Sequence, residues 1–514
     1  MTLTQKQQKQ QRELHSKLWT MVNDLRGNME AYEFKNYILG VIFYRYLSER
    51  MEKYVGNLLK DDGITFEEAW KNDEYKEALI DESLKDLGFV IEPENLFSHL
   101  MKQVELGTFT VEVFHKAIND VVESTLGQPS QDAFDGLFED MDLTSVKLGR
   151  EVRERGKLMG KILSTVDSIS FGHEDITIDV LGDSYMYLIG MFAQSAGKKG
   201  GEFYTPISIT ELVAKIATHG REDILSVSDP TCGSGGLLLE TKKYSNVRFF
   251  DGAELTSTTY NLCRMNMIIH NIPYTNFNIA NTDTIERPAH MEKTYSVQVA
   301  NPPYSASYSG DPKFLEDDRF SQYGKLAPKS KADFAFVQHM VHQMDEDGIA
   351  VVLLPHGVLF RGAAEGTIRE YMIRELNVID TIIGLPAGCF MGTPIAVACL
   401  ILKKNRKDIK DIFFVDASKE FVPGKPVNAL SEEHIEKILE TYVAREDVDK
   451  YAKKASMEEI VENGYNLNIP RYVDTFEEEE EIDIQAVKEK YIELETEAKE
   501  IEKKIEEYFA ELGI

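Results

Sequence analysis

Leu225-Ser226-Val227-Ser228-Asp229-Pro230-Thr231-Cys232-Gly233-Ser234-Gly235-Gly236 reads as a short strand, a glycine-rich turn and the start of an apolar helical segment. Glycines at such a strand-to-helix turn let backbone approach a ligand, because they adopt positive φ without a Cβ clash. From about residue 175 onward, β runs at 225–228, 247–252, 277–280, 295–300, 349–354, 378–383 and 395–402 alternate with helical segments. Alternation of this kind predicts an α/β fold, a doubly wound, mostly parallel, Rossmann-like sheet with helices on both faces. A run at 411–415 adds an edge strand, and helices dominate from Ser431 onward.

Upstream, residues from about 13 to 148 read helical, with Phe34, Ile38, Val41, Ile42 and Tyr46 at three- and four-residue steps. Tyr37-Ile-Leu-Gly-Val-Ile-Phe-Tyr-Arg-Tyr-Leu47 is apolar nearly all round and reads as a buried core helix without chemistry of its own. Downstream, Ile484, Val487, Tyr491, Leu494, Ala498, Ile501, Ile505, Tyr508 and Leu512 form a heptad seam. It lies either on the protein's own surface or against another chain's helix. The acidic run 477–481 before it reads as a solvated spacer. The expected organisation is an N-terminal all-helical domain at 1–150, a catalytic sheet domain at 151–425, and a C-terminal helical region at 426–514 with a coiled-coil tail for partner assembly.

The chain has 514 residues, enough for two or three domains, and at 43% hydrophobic content it is not a disordered sequence. No apolar run reaches the ~20 residues of a membrane span. The polar start, Met1-Thr2-Leu3-Thr4-Gln5-Lys6, lacks the apolar middle of a signal peptide, so a cytoplasmic protein is expected. Cys232, Cys263, Cys389 and Cys399 are scattered and form no zinc pattern; they read as reduced thiols, with no metal expected. The formal charge of -30 is unlike the basic footprint of a protein that grips nucleic acid alone. If the substrate is DNA, phosphate neutralisation has to come from a partner or from a local basic patch that the total conceals.

What binds at the glycine turn is narrowed by the next strand, which ends in Glu254. An acidic side chain about 20 residues on can accept both ribose hydroxyls of an adenosine-containing cofactor, although a lone glutamate also serves as a helix cap. A dinucleotide turn follows G-x-G-x-x-G, whereas this one reads Gly-Ser-Gly-Gly after Asp229-Pro-Thr-Cys; the spacing favours S-adenosylmethionine. Gly197-Lys198-Lys199 lacks the rest of an ATPase phosphate loop. Gly200-Gly-Glu202-Phe203-Tyr204-Thr205-Pro206 runs into a helix beginning near Ile207, with Thr205 suited to N-cap and Pro206 to the first turn. The free N–H groups there suit the cofactor's carboxylate, or the segment is a plain helix start. Asp283 either accepts from the cofactor's adenine amino group or is a turn aspartate.

Asn301-Pro302-Pro303-Tyr304 follows the apolar strand 297–300 and so falls at the carboxyl edge of the sheet, beside the glycine turn. An aromatic amino nitrogen is a poor nucleophile because its lone pair is delocalised into the ring. A carboxamide oxygen from Asn301 and the carbonyl of Pro302 can accept its two hydrogens and localise that pair. The prolines fix φ and remove competing N–H donors, and Tyr304 can stack on a base flipped out of a duplex. In isolation the tetrapeptide is also a rigid turn. C5 methylation of cytosine is disfavoured, since no cysteine stands in a comparable loop.

With these residues in hand, the chain resembles the modification subunit of type I restriction-modification systems, a γ-class N6-adenine DNA methyltransferase. The resemblance rests on Leu18-Trp19, Leu25-Arg-Gly-Asn-Met29, Tyr37-Ile-Leu-Gly40, Gly201 to Pro206, Asp229 to Gly236, Asn301 to Tyr304 and Asn466-Leu-Asn-Ile469, which span nearly the whole chain. It implies cofactor contact at Glu202, Phe203, Tyr204, Thr205, Pro206, Ile207, Ser234, Gly235, Gly236 and Glu254, with Asn301, Pro302, Pro303 and Tyr304 at a flipped adenine of double-stranded DNA. It also implies a specificity subunit that reads DNA, a second modification subunit, and restriction subunits that complete an ATP-dependent nuclease. Asn-Pro-Pro-Tyr is similar as well to the loop of RNA-adenine and protein-glutamine methyltransferases. The helical N-terminal domain and the heptad tail favour DNA.

Overall fold

The strand ahead of the glycine turn, β1 (Asp223–Asp229), lies in the interior of a sheet completed by β2 (Asn246–Glu254), β3 (Phe277–Asn281), β4 (Tyr295–Ala300), β5 (Met344–Pro355), β6 (Ile379–Gly384), β7 (Val397–Lys403), β8 (Asp411–Asp416) and β9 (Ala452–Ser456). The structure is a computed structural model and describes residues 15–16, 18–20, 29–169, 180–196, 204–475 and 484–512. They fall into two compact units, Met1–Val473 and Asp474–Ile514.

Strand order in the first unit is β3-β2-β1-β4-β5-β7-β6-β8-β9. β3, β2, β1, β4 and β5 run parallel, as do β6 and β8, while β7 and β9 are antiparallel to their neighbours. The central strands β4, β5 and β6 are buried almost throughout, whereas β3 and the first residues of β1 and β2 are partly exposed and carry polar residues. One face is covered by the helices Ile207–Thr218, Gly236–Thr241 and Glu432–Ala444, through residues such as Leu212, Leu238 and Ile438. The other carries Asp333–His342 and Ala363–Arg374, through Val337, Met340 and Met372. The sheet is therefore doubly wound, as expected from the alternation.

Two details differ from the sequence expectation. The run at 411–416 is not an edge, because β9 pairs outside it. Ala452-Lys-Lys-Ala-Ser456 carries two lysines and no branched apolar residue, so it lacks a strand's usual composition; lysine does suit an exposed sheet edge. β7 is antiparallel because no helix interrupts 385–396 to carry the chain back in the parallel sense.

The helix Ala31–Leu58 buries Phe34, Ile38, Phe43, Tyr44 and Leu47, as its all-round apolar pattern requires. It packs with the helices Phe97–Glu105, Val152–Asp167 and Val180–Ala196. This helical region docks on the helix Ser257–Ile269: Tyr46 donates to the carbonyl of Ile268 at 2.9 Å, and Asn261 donates to Asp140 at 2.9 Å. The second unit contains the helix Ile484–Leu512, on which Tyr491, Leu494, Ile501, Ile505 and Tyr508 are all exposed. Among the described residues no helix is long and apolar enough to cross a membrane.

Candidate active site

Strand order reverses at β1, whose neighbours β2 and β4 lie on opposite sides. At such a switch point the loops leaving the carboxyl ends of the two strands diverge and open a crevice. The glycine turn leaves β1 and Asn301 leaves β4, so topology alone brings together two motifs 65 or more residues apart in sequence, from Gly236 to Asn301. Asp229, Gly233, Ser234, Gly236, Tyr204, Thr205 and Asn301 line one cavity.

The turn is tightly built. Gly233 and Gly235 have φ of 54° and 83°. A Cβ on Gly235 would lie 2.9 Å from Cys263 Sγ and 3.1 Å from Met267 Cε, both on the helix behind the turn. Glu254, at the end of β2, accepts the Gly233 N–H through Oε2 at 3.1 Å and the Thr256 N–H through Oε1 at 2.8 Å. Burial raises its carboxyl above the usual range, against those hydrogen bonds. Asp229 is buried, and its Oδ1 accepts the Thr231 N–H at 2.9 Å. Burial pushes the Asp229 carboxyl up to about 7, the Glu254 charge adding to the shift against the bonds from Thr231.

Asn301 is fixed at both ends of its carboxamide. Nδ2 donates to Thr205 Oγ1 at 3.0 Å, and Oδ1 accepts from the Tyr304 hydroxyl at 2.8 Å. Thr205 therefore does not cap the following helix. Pro206 is the N-cap of Ile207–Thr218, with ψ of 138° and no side-chain acceptor to offer, while the Thr205 hydroxyl oxygen accepts from Asn301 instead. Ile207 opens that helix and is exposed, whereas Tyr204 is buried against the helical region, its hydroxyl occupying the space a Cβ on Gly190 would need. Pro302 is buried, Pro303 exposed, and the Tyr304 ring meets Phe390 edge-on with centroids 6.1 Å apart. Asp283 spends Oδ1 on the N–H groups of Ile285 and Glu286 at 2.9 and 3.0 Å, which is turn chemistry, and it does not line the cavity. Glu202 and Phe203 lie outside the described residues, as do Gly201 and the segment 25–28.

Several supporting residues carry no motif. Asp333, fully buried, accepts the Ser305 N–H at 2.9 Å and pins the residue after Tyr304, which has φ of 53°. Its own charge faces Arg361 at 3.7 Å, and Arg361 in turn bonds Glu365 at 3.2 Å. Asn266 donates to the Ser234 carbonyl at 2.8 Å, and Met186 covers Gly236. A buried aspartate leading the apolar run Phe334-Ala-Phe-Val337 was the one visible signal among them, since an unpaired buried charge needs a partner.

The cleft suits a cofactor that is cationic where Asp229 and Asn301 converge. S-adenosylmethionine carries a sulfonium and an ammonium against one carboxylate. A net cation placed beside Asp229 would favour its ionised form, so binding there below about 7 would release a proton. Affinity is then expected to rise with pH up to about 7 and level off above. Calorimetry across pH 5.5–8.5, in two buffers of different ionisation enthalpy, checks this; an affinity flat across that window contradicts it.

Residues 176–481 match the N-6 DNA Methylase family model and residues 14–166 the HsdM N-terminal domain model. The chain is 37% identical to the type I restriction enzyme MpnII methylase subunit of Mycoplasma pneumoniae, over 100% of this chain and 98% of that protein. It is 27% identical to the MjaIX methylase subunit of Methanocaldococcus jannaschii, over 98% and 92%. Among solved structures, the type I restriction-modification methyltransferase subunit from Streptococcus thermophilus superposes with a TM-score of 0.84 at 41% identity, covering 90% of this chain and 100% of that one.

Proposed function

The chain belongs to the N-6 DNA methylase family, among the methylase subunits of type I restriction enzymes, with S-adenosylmethionine as cofactor, and on that premise we propose how its residues divide the work. Asn301 Oδ1 and the Pro302 carbonyl accept the two hydrogens of an adenine amino group in duplex DNA and so localise the nitrogen lone pair; bound S-adenosylmethionine would supply the methyl group, its S–CH3 bond breaking as the N–CH3 bond forms, with S-adenosylhomocysteine leaving and the surplus amino proton passing to solvent. Gly233, Ser234, Gly235 and Gly236 cradle the cofactor, Glu254 takes its ribose hydroxyls, Asp229 faces its cationic end, and the 202–207 segment takes its carboxylate. Asp283 keeps one carboxylate oxygen for the cofactor's adenine. The bond from Asn301 Nδ2 to Thr205 Oγ1 carries this reading, because it leaves Oδ1 as the outward acceptor and ties the base site to the cofactor segment.

The exposed apolar row Tyr491, Leu494, Ile501, Ile505 and Tyr508 supports docking of the tail helix on a specificity subunit. That subunit would supply sequence reading, and a second modification subunit and restriction subunits complete the assembly. Residues 1–150 then serve as helical domain and 151–425 as catalytic domain; of the C-terminal region 426–514, the part to Val473 completes the sheet through Glu432–Ala444 and β9, and the helix Ile484–Leu512 is left for assembly. Transfer of a labelled methyl group to duplex DNA, RNA and protein acceptors tests the substrate class. Label confined to adenine of duplex DNA is expected; label on a protein glutamine or on RNA instead rejects it.

A flipped base must displace the Tyr304 hydroxyl from Asn301 Oδ1, at the cost of one hydrogen bond, about 1 kcal/mol. Tyr304→Phe keeps the ring and removes that competitor, so DNA affinity should hold or tighten up to about fivefold. Tyr304→Ala loses stacking worth about 1–3 kcal/mol and should weaken transfer roughly 10- to 100-fold. A phenylalanine variant as damaged as the alanine variant, in a steady-state assay, argues against this arrangement.

A further inference from the structure

In a chain with formal charge -30, the segment Lys325-Leu-Ala-Pro-Lys329-Ser-Lys331 holds three lysines and no acid. It lies directly against the catalytic loop. The Tyr308 N–H donates to the Lys329 carbonyl at 2.9 Å, the Ala332 N–H to the Ala306 carbonyl at 2.9 Å, and the Tyr308 hydroxyl to the Ala327 carbonyl at 2.6 Å. Asp333, two residues past Lys331, anchors Ser305. The residues just after Asn301-Pro-Pro-Tyr304 and the lysine segment are therefore hydrogen-bonded into one ledge beside the tetrapeptide.

Lys329 is seated rather than loose. Its stem crosses Gly310, where a Cβ would fall 2.5 Å from Lys329 Cγ and 3.1 Å from Cε, and Gly310 has φ of 53°. Both the conformation and the missing side chain there make room for the lysine. Neither Lys329 nor Lys331 has an ion-pair partner among the described residues. The nearby carboxylates make their hydrogen bonds elsewhere: Glu286 accepts the Ser309 N–H and hydroxyl at 2.7 and 3.1 Å, and Glu365, which feels the Lys331 charge without an ion pair to it, is bonded to Arg361. A long cation held extended over a glycine, with its ammonium uncommitted, fits a ligand that brings negative charge to the rim.

We propose that Lys329, seconded by Lys331, binds backbone phosphates of the DNA strand flanking the target base. The proposal rests on the DNA reading above. It locates in this chain a local basic patch that the acidic total conceals, and gives the flipped nucleotide a fixed point beside Asn301. Each phosphate neutralised releases condensed counterions, so the logarithm of affinity falls with the logarithm of salt by about 0.9 per contact.

The test uses the full-length chain assembled with its specificity subunit, S-adenosylmethionine, and a duplex oligonucleotide bearing the mapped target. Lys329→Gln, alone and with Lys331→Gln, and Lys329→Arg are compared with wild type across a salt series. Lys329→Gln is expected to raise KM for DNA roughly three- to tenfold at about 0.1 M salt, with the effect on KM rather than kcat, and to reduce the salt slope by about 0.9. The double variant should lose about twice that slope, and Lys329→Arg should restore it. An unchanged salt slope overturns the proposal, whether or not KM moves, because a purely structural loss is not salt-dependent. A wild-type assembly that transfers no methyl group to DNA overturns the underlying substrate reading instead.

Discussion

Asn301→Ala is expected to lower methyl transfer to DNA by roughly 10²–10³-fold or more while changing S-adenosylmethionine affinity less than about threefold. In the proposed arrangement the carboxamide oxygen acts where charge develops on the amino nitrogen, so its loss would fall on the transition state rather than on cofactor binding. The substitution leaves the core intact: Asn301 is only partly buried, and its partners Thr205 and Tyr304 are themselves only partly buried. Asn301→Asp offers a second variant that keeps an acceptor but loses the donor to Thr205, and it should fall between the two. Single-turnover rates with cofactor prebound make the measurement. A rate within tenfold of wild type for the alanine variant removes Asn301 from the chemistry.

The second large effect belongs to Gly235. Gly235→Val places a branched side chain at φ of 83°, with its Cβ 2.9 Å from Cys263 Sγ and 3.1 Å from Met267 Cε. The conformation alone costs about 1–3 kcal/mol, and overpacking a filled site about as much again. The turn must shift, and the backbone N–H groups of the cradle shift with it. Cofactor affinity should fall by more than about 100-fold. Gly220→Ala controls for conformation, because Gly220 has φ of 73° but a Cβ there meets nothing within 4 Å. It should lose some stability and keep cofactor binding. Wild-type affinity in folded Gly235→Val, measured by calorimetry, contradicts a cradle at this turn.

The sequence exposed those features whose physics is local. A strand, a glycine turn and a helix in succession impose a parallel sheet, and the crevice at its switch point then determines where Gly233 and Asn301 meet. The apolar periodicity of 34–47 likewise forces a buried helix. What stayed hidden depends on distant partners. Thr205 reads as a cap because a threonine before a proline usually is one; only its approach to Asn301 across 96 residues redirects the hydroxyl. β9 is hidden by its lysines, which identify an edge only once β8 is seen beside it. Asp333, Asn266 and Met186 support the site from other elements, and no spacing rule connects them to it. Asp283 combines its two sequence readings: Oδ1 is engaged in a turn, and Oδ2 is left for the proposed cofactor contact.

The most direct test of the account is a single-base map of N6-methyladenine in the genomic DNA of cells that express the chain with its specificity subunit. Cells lacking the chain and cells carrying Asn301→Ala are mapped beside them. Methylated adenine is expected at one defined sequence throughout the genome with the wild-type chain, and none at that sequence in either comparison. Methylation that persists at that sequence with Asn301→Ala, or wild-type cells with no N6-methyladenine attributable to the chain, contradicts it.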